Sequence, residues 1–330
     1  MRARIRFIAP LAVAVALTAA CGDSGSSGTG GDSGSGGTAS GEACAPVAGD
    51  KLVVLEDDQH LQNADNVIPA VNTKAADGQP ALLPALNAVS AVLTTEDLVN
   101  MNAAVDVDRK SAEEVAAAWV QQSGVTDGLE HGSGPVAVGG AGFTESTILA
   151  NVYADVLKAA GFDATVREVG SRELYLKALT EGSEIQVFPE YVGSLATFLN
   201  GSDPSVASSD LQKTVDNLTR LGQGVGLAFG DPSQAADQNG FAITTALAKK
   251  LGGITSLSDL ADKCGDGSLV LGGPTECPTR PFCQPGLEDK YGMKFSDVQD
   301  LDIGTPINQG LVQGVISIGL VLTTDPVLAK

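Results

Sequence analysis

The stretch Val136–Gly161, VAVGGAGFTESTILANVYADVLKAAG, constrains the fold most. An apolar run ends in Gly139-Gly140, a turn passes through Ala141-Gly142, and a helical pattern follows. Ile148, Leu149, Val152, Val156 and Leu157 fall on one helical face, and Gly161 stands where a left-handed C-terminal cap belongs. This is a strand, a glycine-rich turn and a helix. Such a turn offers backbone N–H groups beside the positive end of a helix dipole, which suits an anion or a carboxylate. A nucleotide loop is excluded, because no lysine followed by Ser/Thr comes after the last glycine.

The same alternation continues on both sides. Residues 51–55 read as a buried strand, followed by the acidic turn Glu56-Asp57-Asp58 and a second apolar run over 66–71. Helices are predicted over 81–93, 95–102 and 111–122, the last opened by the capping box Ser111-x-x-Glu114, with Trp119 as a packing anchor. After a polar connector at 125–134 come strand 136–138, helix 144–160, strand 164–169, helix 173–180, strand 184–188 and helices to 199 and over 211–221. Residues 222–239 read as a crossing. A second set follows: strand 241–244, helices 245–251 and 256–263, strand 269–271, helices 286–291 and 306–313, and strand 315–322. Alternating strands and helices predict an α/β chain with parallel sheets. Two such sets joined by crossings predict two lobes, one over about 62–230, the other over 44–61 plus 231–330. Ligands in such architectures sit between lobes, at strand ends and helix N-termini.

The N-terminus carries no fold signal. Arg2, Arg4 and Arg6, the apolar run 7–16 and Leu17-Thr-Ala-Ala-Cys21 form an export signal, the apolar part being too short to span a membrane. Its end resembles a lipoprotein signal, which makes Cys21 the lipidated terminus and places the protein on the outer face of the cytoplasmic membrane, although Thr18 stands where leucine is usual. Residues 22–43 are a Gly/Ser tether with an r.m.s. span of about 25 Å. The formal charge of -20 argues against nucleic acid as a partner, since phosphate binding needs a basic face. Cys44, Cys264, Cys277 and Cys283 remain, enough for two disulfides in three pairings. Cys277 and Cys283 flank a short proline-rich loop and are placed to close it, which leaves Cys44 for Cys264. A zinc site competes poorly: the spacing is wrong and the histidines are His60 and His131 alone. No metal or cofactor is expected.

Six stretches, VGGAGFTES (138–146), SRELYLKAL (171–179), FPEYVGSL (188–195), DQNGFAIT (237–244), LVLGGPTECPTRPFCQPGL (269–287) and LVLTTDP (320–326), resemble the glycine betaine/choline substrate-binding proteins of ABC transporters. The resemblance implies a two-lobed, type II periplasmic-binding-protein-like α/β fold. It also implies capture of a quaternary-amine osmoprotectant such as glycine betaine, choline or proline betaine, delivery to ABC permease subunits, and a monomer. The segment GDKLVVLEDDQHLQNADNVIPAVNT resembles the part that normally follows TTDP, yet here it comes first. The chain therefore reads as circularly permuted, with new ends at about Gly49 and Lys330; a rearranged gene product with one incomplete lobe is the alternative.

A quaternary ammonium needs aromatic faces and carboxylates, and a carboxylate needs Arg, hydroxyls or backbone N–H groups. The resemblance assigns Tyr191 and Phe241 as aromatics, with Ser194 and Asn239 beside them, and Arg280 to the ligand carboxylate. It assigns the turn Ala141, Gly142, Phe143 and Thr144 to the first ligand loop, and Thr323 and Thr324 to the last. Core packing competes for Tyr191 and Phe241, a surface ion pair for Arg280, and an N-cap role for Thr144. The chain departs from the family pattern at Ala141, where some members carry lysine, and at Leu322 and Asp65, where aromatics are expected. Asp65 supplies charge instead, which suits a cation able to donate hydrogen bonds. A lipoprotein receptor or sensor uncoupled from transport is the rival binding function. Catalysis is not expected, since no nucleophile–base–orienter set is present.

Overall fold

A computed structural model describes residues 44–329. The signal, Cys21 and the tether 22–43 lie outside the described residues.

Two five-stranded sheets organise the chain. Strand β1 (Leu52–Leu55) lies in the second lobe, and the chain then crosses to the first. There β2 (Val67–Asn72) is followed by α1 (Thr73–Gly78), α2 (Leu82–Val92), α3 (Thr95–Asp106) and α4 (Ala112–Ser123). Next come β3 (Pro135–Gly140), α5 (Thr144–Ala159), β4 (Asp163–Glu168), α6 (Arg172–Glu181), β5 (Val187–Tyr191), α7 (Val192–Leu199), α8 (Leu211–Gln223) and β6 (Leu227–Phe229). The first sheet has the order β4-β3-β5-β2-β6, with β3 parallel to β4 and β5, and β2 antiparallel to β5 and β6.

The chain returns through residues 230–238 to β7 (Asn239–Thr244), α9 (Thr245–Lys250), α10 (Leu257–Cys264), β8 (Leu269–Gly273), α11 (Gln284–Tyr291), β9 (Phe295–Asp300), α12 (Thr305–Val312) and β10 (Ile318–Leu322). The second sheet has the order β1-β7-β10-β8-β9, with β7 antiparallel to both neighbours and β10, β8 and β9 parallel. Each lobe buries its own apolar core. In the first, α5 packs against α2, α3 and α4, and the buried Trp119 joins that cluster. Among the described residues no single helix is long and apolar enough to cross a membrane.

Three elements differ from the sequence expectation. Strand β9 reads FSDVQD, an edge strand with mostly solvated side chains and no apolar alternation. Strand β6 has three residues and lies inside the stretch read as a crossing. Helix α1 exists because Asn72 accepts from the N–H groups of Lys74 and Ala75, not because of any apolar period. Gly139 and Gly140, at the end of the apolar run, extend β3 beyond the predicted strand 136–138. A Cβ at Gly139 would stand 2.7 Å from Ile185 and 2.8 Å from Phe188, so glycine lets the strand pack closely there. The predicted left-handed glycine is present: Gly161 has φ +97° just past α5.

The cysteines form Cys44–Cys264 and Cys277–Cys283. The first ties the start of the described chain to the end of α10. The two ends of the described residues lie in the same lobe: the Gly49 N–H donates to Val312 O, and the turn Pro326–Leu328 packs on both α3 and β1.

Candidate functional site

A cleft of about 580 Å³ lies between the lobes, where the crossing strands meet. Those crossings pair as a short antiparallel ribbon. Asn66 bridges to Ala236, and the Asp237 N–H donates to Asp65 O at 3.2 Å. The C-terminal segment clamps the ribbon. The Thr323 hydroxyl donates to Ala236 O (2.8 Å) and accepts from the Gln238 N–H (3.0 Å), and the Thr324 hydroxyl donates to Asp237 Oδ1 (2.8 Å).

The first lobe supplies the cleft floor. Helix α7 starts directly after β5, so its first N–H groups point at the crossing. Asp65 fills that end: its Oδ1 accepts from the Gly193 and Ser194 N–H groups (2.8 and 2.9 Å), and its Oδ2 from the Ser194 hydroxyl (2.6 Å). Gly193 is required there, since a Cβ would stand 2.6 Å from Ala64 O. Burial nevertheless raises the Asp65 carboxyl from 3.8 to about 6, against the lowering effect of these donors. Tyr191 closes the floor. Its hydroxyl donates to Glu145 Oε1 at 2.5 Å, and burial followed by the Glu145 charge pushes the phenol well above its usual range. Glu145 in turn accepts from Asn102 Nδ2 (2.7 Å), which also donates to Thr324 O (3.1 Å). A chain of bonds thus runs from the cleft floor through α5 and α3 to the second lobe.

Next to Tyr191, the buried Glu190 pairs with the half-buried Arg172. Arg172 Nη2 donates to Glu190 Oε2 at 3.0 Å, the Tyr175 hydroxyl to Glu190 Oε1 at 2.6 Å, and the Tyr191 N–H to Glu190 Oε2 at 3.1 Å. Tyr175 stacks on Phe188 with ring centres 3.9 Å apart. The second lobe contributes Asn239, Leu322 and the loop closed by Cys277–Cys283, which carries Arg280 and Phe282. Gln62 Nε2 donates to Phe282 O (2.9 Å) and so fixes that loop to the crossing. Gln62 is itself held through its N–H by Asp57 of the acidic turn (2.7 Å). Arg280 pairs with Glu276 at 3.3 Å, both side chains about half exposed, a contact too solvated to hold the arginine back from a ligand.

Of the residues singled out from the sequence, Asp65, Tyr191, Ser194, Asn239 and Arg280 come together here. Phe241 does not line the cleft. It is 1% exposed in the middle of β7, opposite Leu55 and Leu320, and packs in the core of the second lobe. The turn Ala141–Thr144 is not brought to the cleft either. The Ala141 N–H donates to Ser146 Oγ (2.9 Å) and the Phe143 N–H to Ala141 O (2.9 Å), so the turn uses these donors internally. Gly142 and Phe143 face solvent. Thr144 is not the N-cap: Phe143 holds that position without a side-chain bond, and the Thr144 hydroxyl donates to Asp106 (2.7 Å). Thr323 and Thr324 hold the crossing ribbon rather than line the cleft. Phe198, Phe282, Arg172 and Asp237 line the site without having been singled out as ligand residues. Phe198 follows Ser194 by one helical turn, a spacing visible in the sequence; the placement of Phe282 depends on the disulfide loop.

The sequence profile of the substrate-binding domain of ABC-type glycine betaine transport systems matches residues 45–122 and 134–330. A glycine-betaine-binding protein of Pseudomonas aeruginosa is 28% identical over 176 residues, covering 51% of this chain and 55% of that protein. The glycine betaine-binding protein YehZ of Escherichia coli is 27% identical over 172 residues, with the same coverage. The chain thus spans about half the length of the curated relatives it matches. The crystal structure of a glycine betaine/carnitine/choline ABC transporter is similar with a TM-score of 0.44 and 18% identity, over 59% of this chain and 75% of that one.

Proposed function

The chain belongs to the family of substrate-binding domains of ABC-type glycine betaine transport systems, and from that premise we propose that it captures a quaternary-amine osmoprotectant between its lobes and delivers it to membrane permease subunits. Glycine betaine, choline and proline betaine are the candidate solutes. The observation that carries this reading is the charge separation across the cleft. Tyr191 and two carboxylates, Asp65 and Asp237, stand on the hinge side, and Arg280 stands on the loop of the second lobe. A trimethylammonium group cannot donate hydrogen bonds, so it takes its stabilisation from an aromatic face and from negative charge. Tyr191, Phe198 and Phe282 supply aromatic surface for it. A carboxylate at the other end of the solute takes the guanidinium of Arg280.

We further propose that the domain is a circular permutant. Two facts support this: the profile match falls in two stretches on either side of the connector 123–133, and the two ends of the described residues lie in the same lobe. Joining and reopening a chain is tolerated where its ends meet at a surface. Lipidation at Cys21, with the tether 22–43 holding the domain near the membrane, completes the proposal.

A thermal-shift screen against glycine betaine, choline, carnitine, proline betaine and polyamines tests the reading. A raised melting temperature with one or more quaternary amines supports it. No response to any cationic or zwitterionic solute contradicts it.

A further inference from the structure

The crossing ribbon, residues 62–66 and 235–239, carries no basic side chain. Asp65 and Asp237 lie side by side across the crossing ribbon, and both open into the cleft. Neither carboxylate meets a basic side chain. Of the two arginines that line the cleft, Arg172 is bound to Glu190, and Arg280 stands on the loop of the second lobe in a solvated contact with Glu276. The groups facing the pair from the surrounding elements are acidic too: Glu145 on α5, Glu190 on β5 and Asp325 in the C-terminal segment. Two buried amides beside the clamp leave an acceptor unmet. Asn102, 6% exposed, spends its Nδ2 on Glu145 and Thr324 O while its Oδ1 accepts nothing. Asn308 donates to Asp325 Oδ2 (3.0 Å), and its Oδ1 is likewise buried without a donor. Two carboxylates side by side in one cleft, neither bound to a basic side chain, are balanced by a positive ligand or by a proton.

Resting on the solute-capture reading above, we infer that Asp65 and Asp237 form a cation subsite at which the positive head of the solute and a proton compete, so that capture releases a proton to water. The two occupants do the same electrostatic work. Without solute, a proton neutralises the pair. With solute, the ammonium does so, and the carboxylates ionise fully. Burial raises Asp237 from 3.8 to about 7, helped by Glu145, Asp65 and Asp325 and opposed by the Thr324 hydroxyl; burial raises Asp65 to about 6, with Glu190 adding to it. The bond from the Thr324 hydroxyl to Asp237 ties the subsite to the clamp that joins the lobes, so loss of the proton is felt at the hinge itself.

The test is calorimetric titration of the full domain with choline and with glycine betaine, in buffers of different ionisation enthalpy, from about pH 5 to about pH 8.5. The expected result is a binding heat that depends on the buffer, showing proton release near neutral pH. Affinity should fall by up to about 100-fold between about pH 8.5 and about pH 5, the factor set by a carboxyl titrating at about 7. Asp237→Asn should weaken binding about tenfold or more at about pH 8.5 and flatten the pH dependence. Circular dichroism melting of the variant checks its fold, and the wild-type buffer dependence stands without it. Tight binding with no buffer dependence and no change with pH overturns this inference and leaves the capture reading intact. No binding of either solute at about pH 8.5 overturns both.

Discussion

Arg172→Met is the most informative single perturbation of the cleft floor. Glu190 has a fully buried side chain, while Arg172 is 28% exposed. The guanidinium donates to Glu190 through Nη2 (3.0 Å) and Nε (3.3 Å). Methionine keeps the apolar stem and removes both donors. Removing one partner of a buried pair leaves an uncompensated charge, at a cost of roughly 3–5 kcal/mol. Two donors remain on Glu190, the Tyr175 hydroxyl and the Tyr191 N–H, which places the expected loss at the lower end, about 3 kcal/mol. For a body of this size that is a fall in Tm of about 6 °C. The double variant Arg172→Met with Glu190→Gln should recover at least about half of the loss, because the buried charge is gone and an amide can still accept from Tyr175. Urea denaturation of wild type, both single variants and the double variant closes the cycle. A loss below about 0.5 kcal/mol for Arg172→Met, or a double variant no more stable than the single, would refute the assignment of Arg172 as the charge that allows Glu190 next to Tyr191.

Three further outcomes follow from the same geometry. Asp237 titrates at about 7 folded against an ordinary 3.8, so the folded chain holds a proton that the unfolded chain has released. Its contribution to stability without solute therefore falls as pH rises through that window, by at most about 4 kcal/mol, and chemical denaturation should show a stability lower at about pH 8 than at about pH 5 from this group. Gly193→Ala brings a Cβ within 2.6 Å of Ala64 O and should cost about 1–3 kcal/mol while weakening solute binding, read by denaturation and calorimetry together. Replacing Cys277 and Cys283 by serine should remove about 2 kcal/mol and loosen the loop that carries Arg280 and Phe282, so affinity should drop while the circular dichroism spectrum is kept.

Much of the fold was legible because each lobe is built from strands and helices with strong apolar periods. The helix following Gly140 buries Ile148, Leu149, Val152, Val156 and Leu157, the face that the spacing predicts. The capping box at Ser111 and Glu114 is present in α4. Strand β9 escaped because it is an edge strand with solvated side chains, and β6 because three residues carry no period. The site was less legible. Tyr191 and Phe241 both occupy strands and both match a motif, but β5 ends at the cleft with Tyr191 as its last residue, whereas Phe241 lies in mid-strand under two neighbours. Sequence spacing does not distinguish the end of a strand from its centre. Nor did it reveal that the helix N-terminus facing the hinge is occupied by Asp65, 128 residues away from Gly193. The glycine-rich turn looked like an anion cradle because its N–H groups are unpaired in isolation; in the folded chain Ser146 Oγ takes the Ala141 N–H, Ala141 O takes that of Phe143, and the turn does not line the cleft.

The central claim is that a betaine-type solute binds in the interlobe cleft with its carboxylate toward Arg280. Titration calorimetry of wild type and Arg280→Ala with glycine betaine and with choline tests it most directly. The account predicts one site per chain, with glycine betaine weakened about tenfold or more by the substitution and choline, which has no carboxylate, weakened far less. Equal weakening of both solutes, or wild-type affinity retained for glycine betaine, would contradict it.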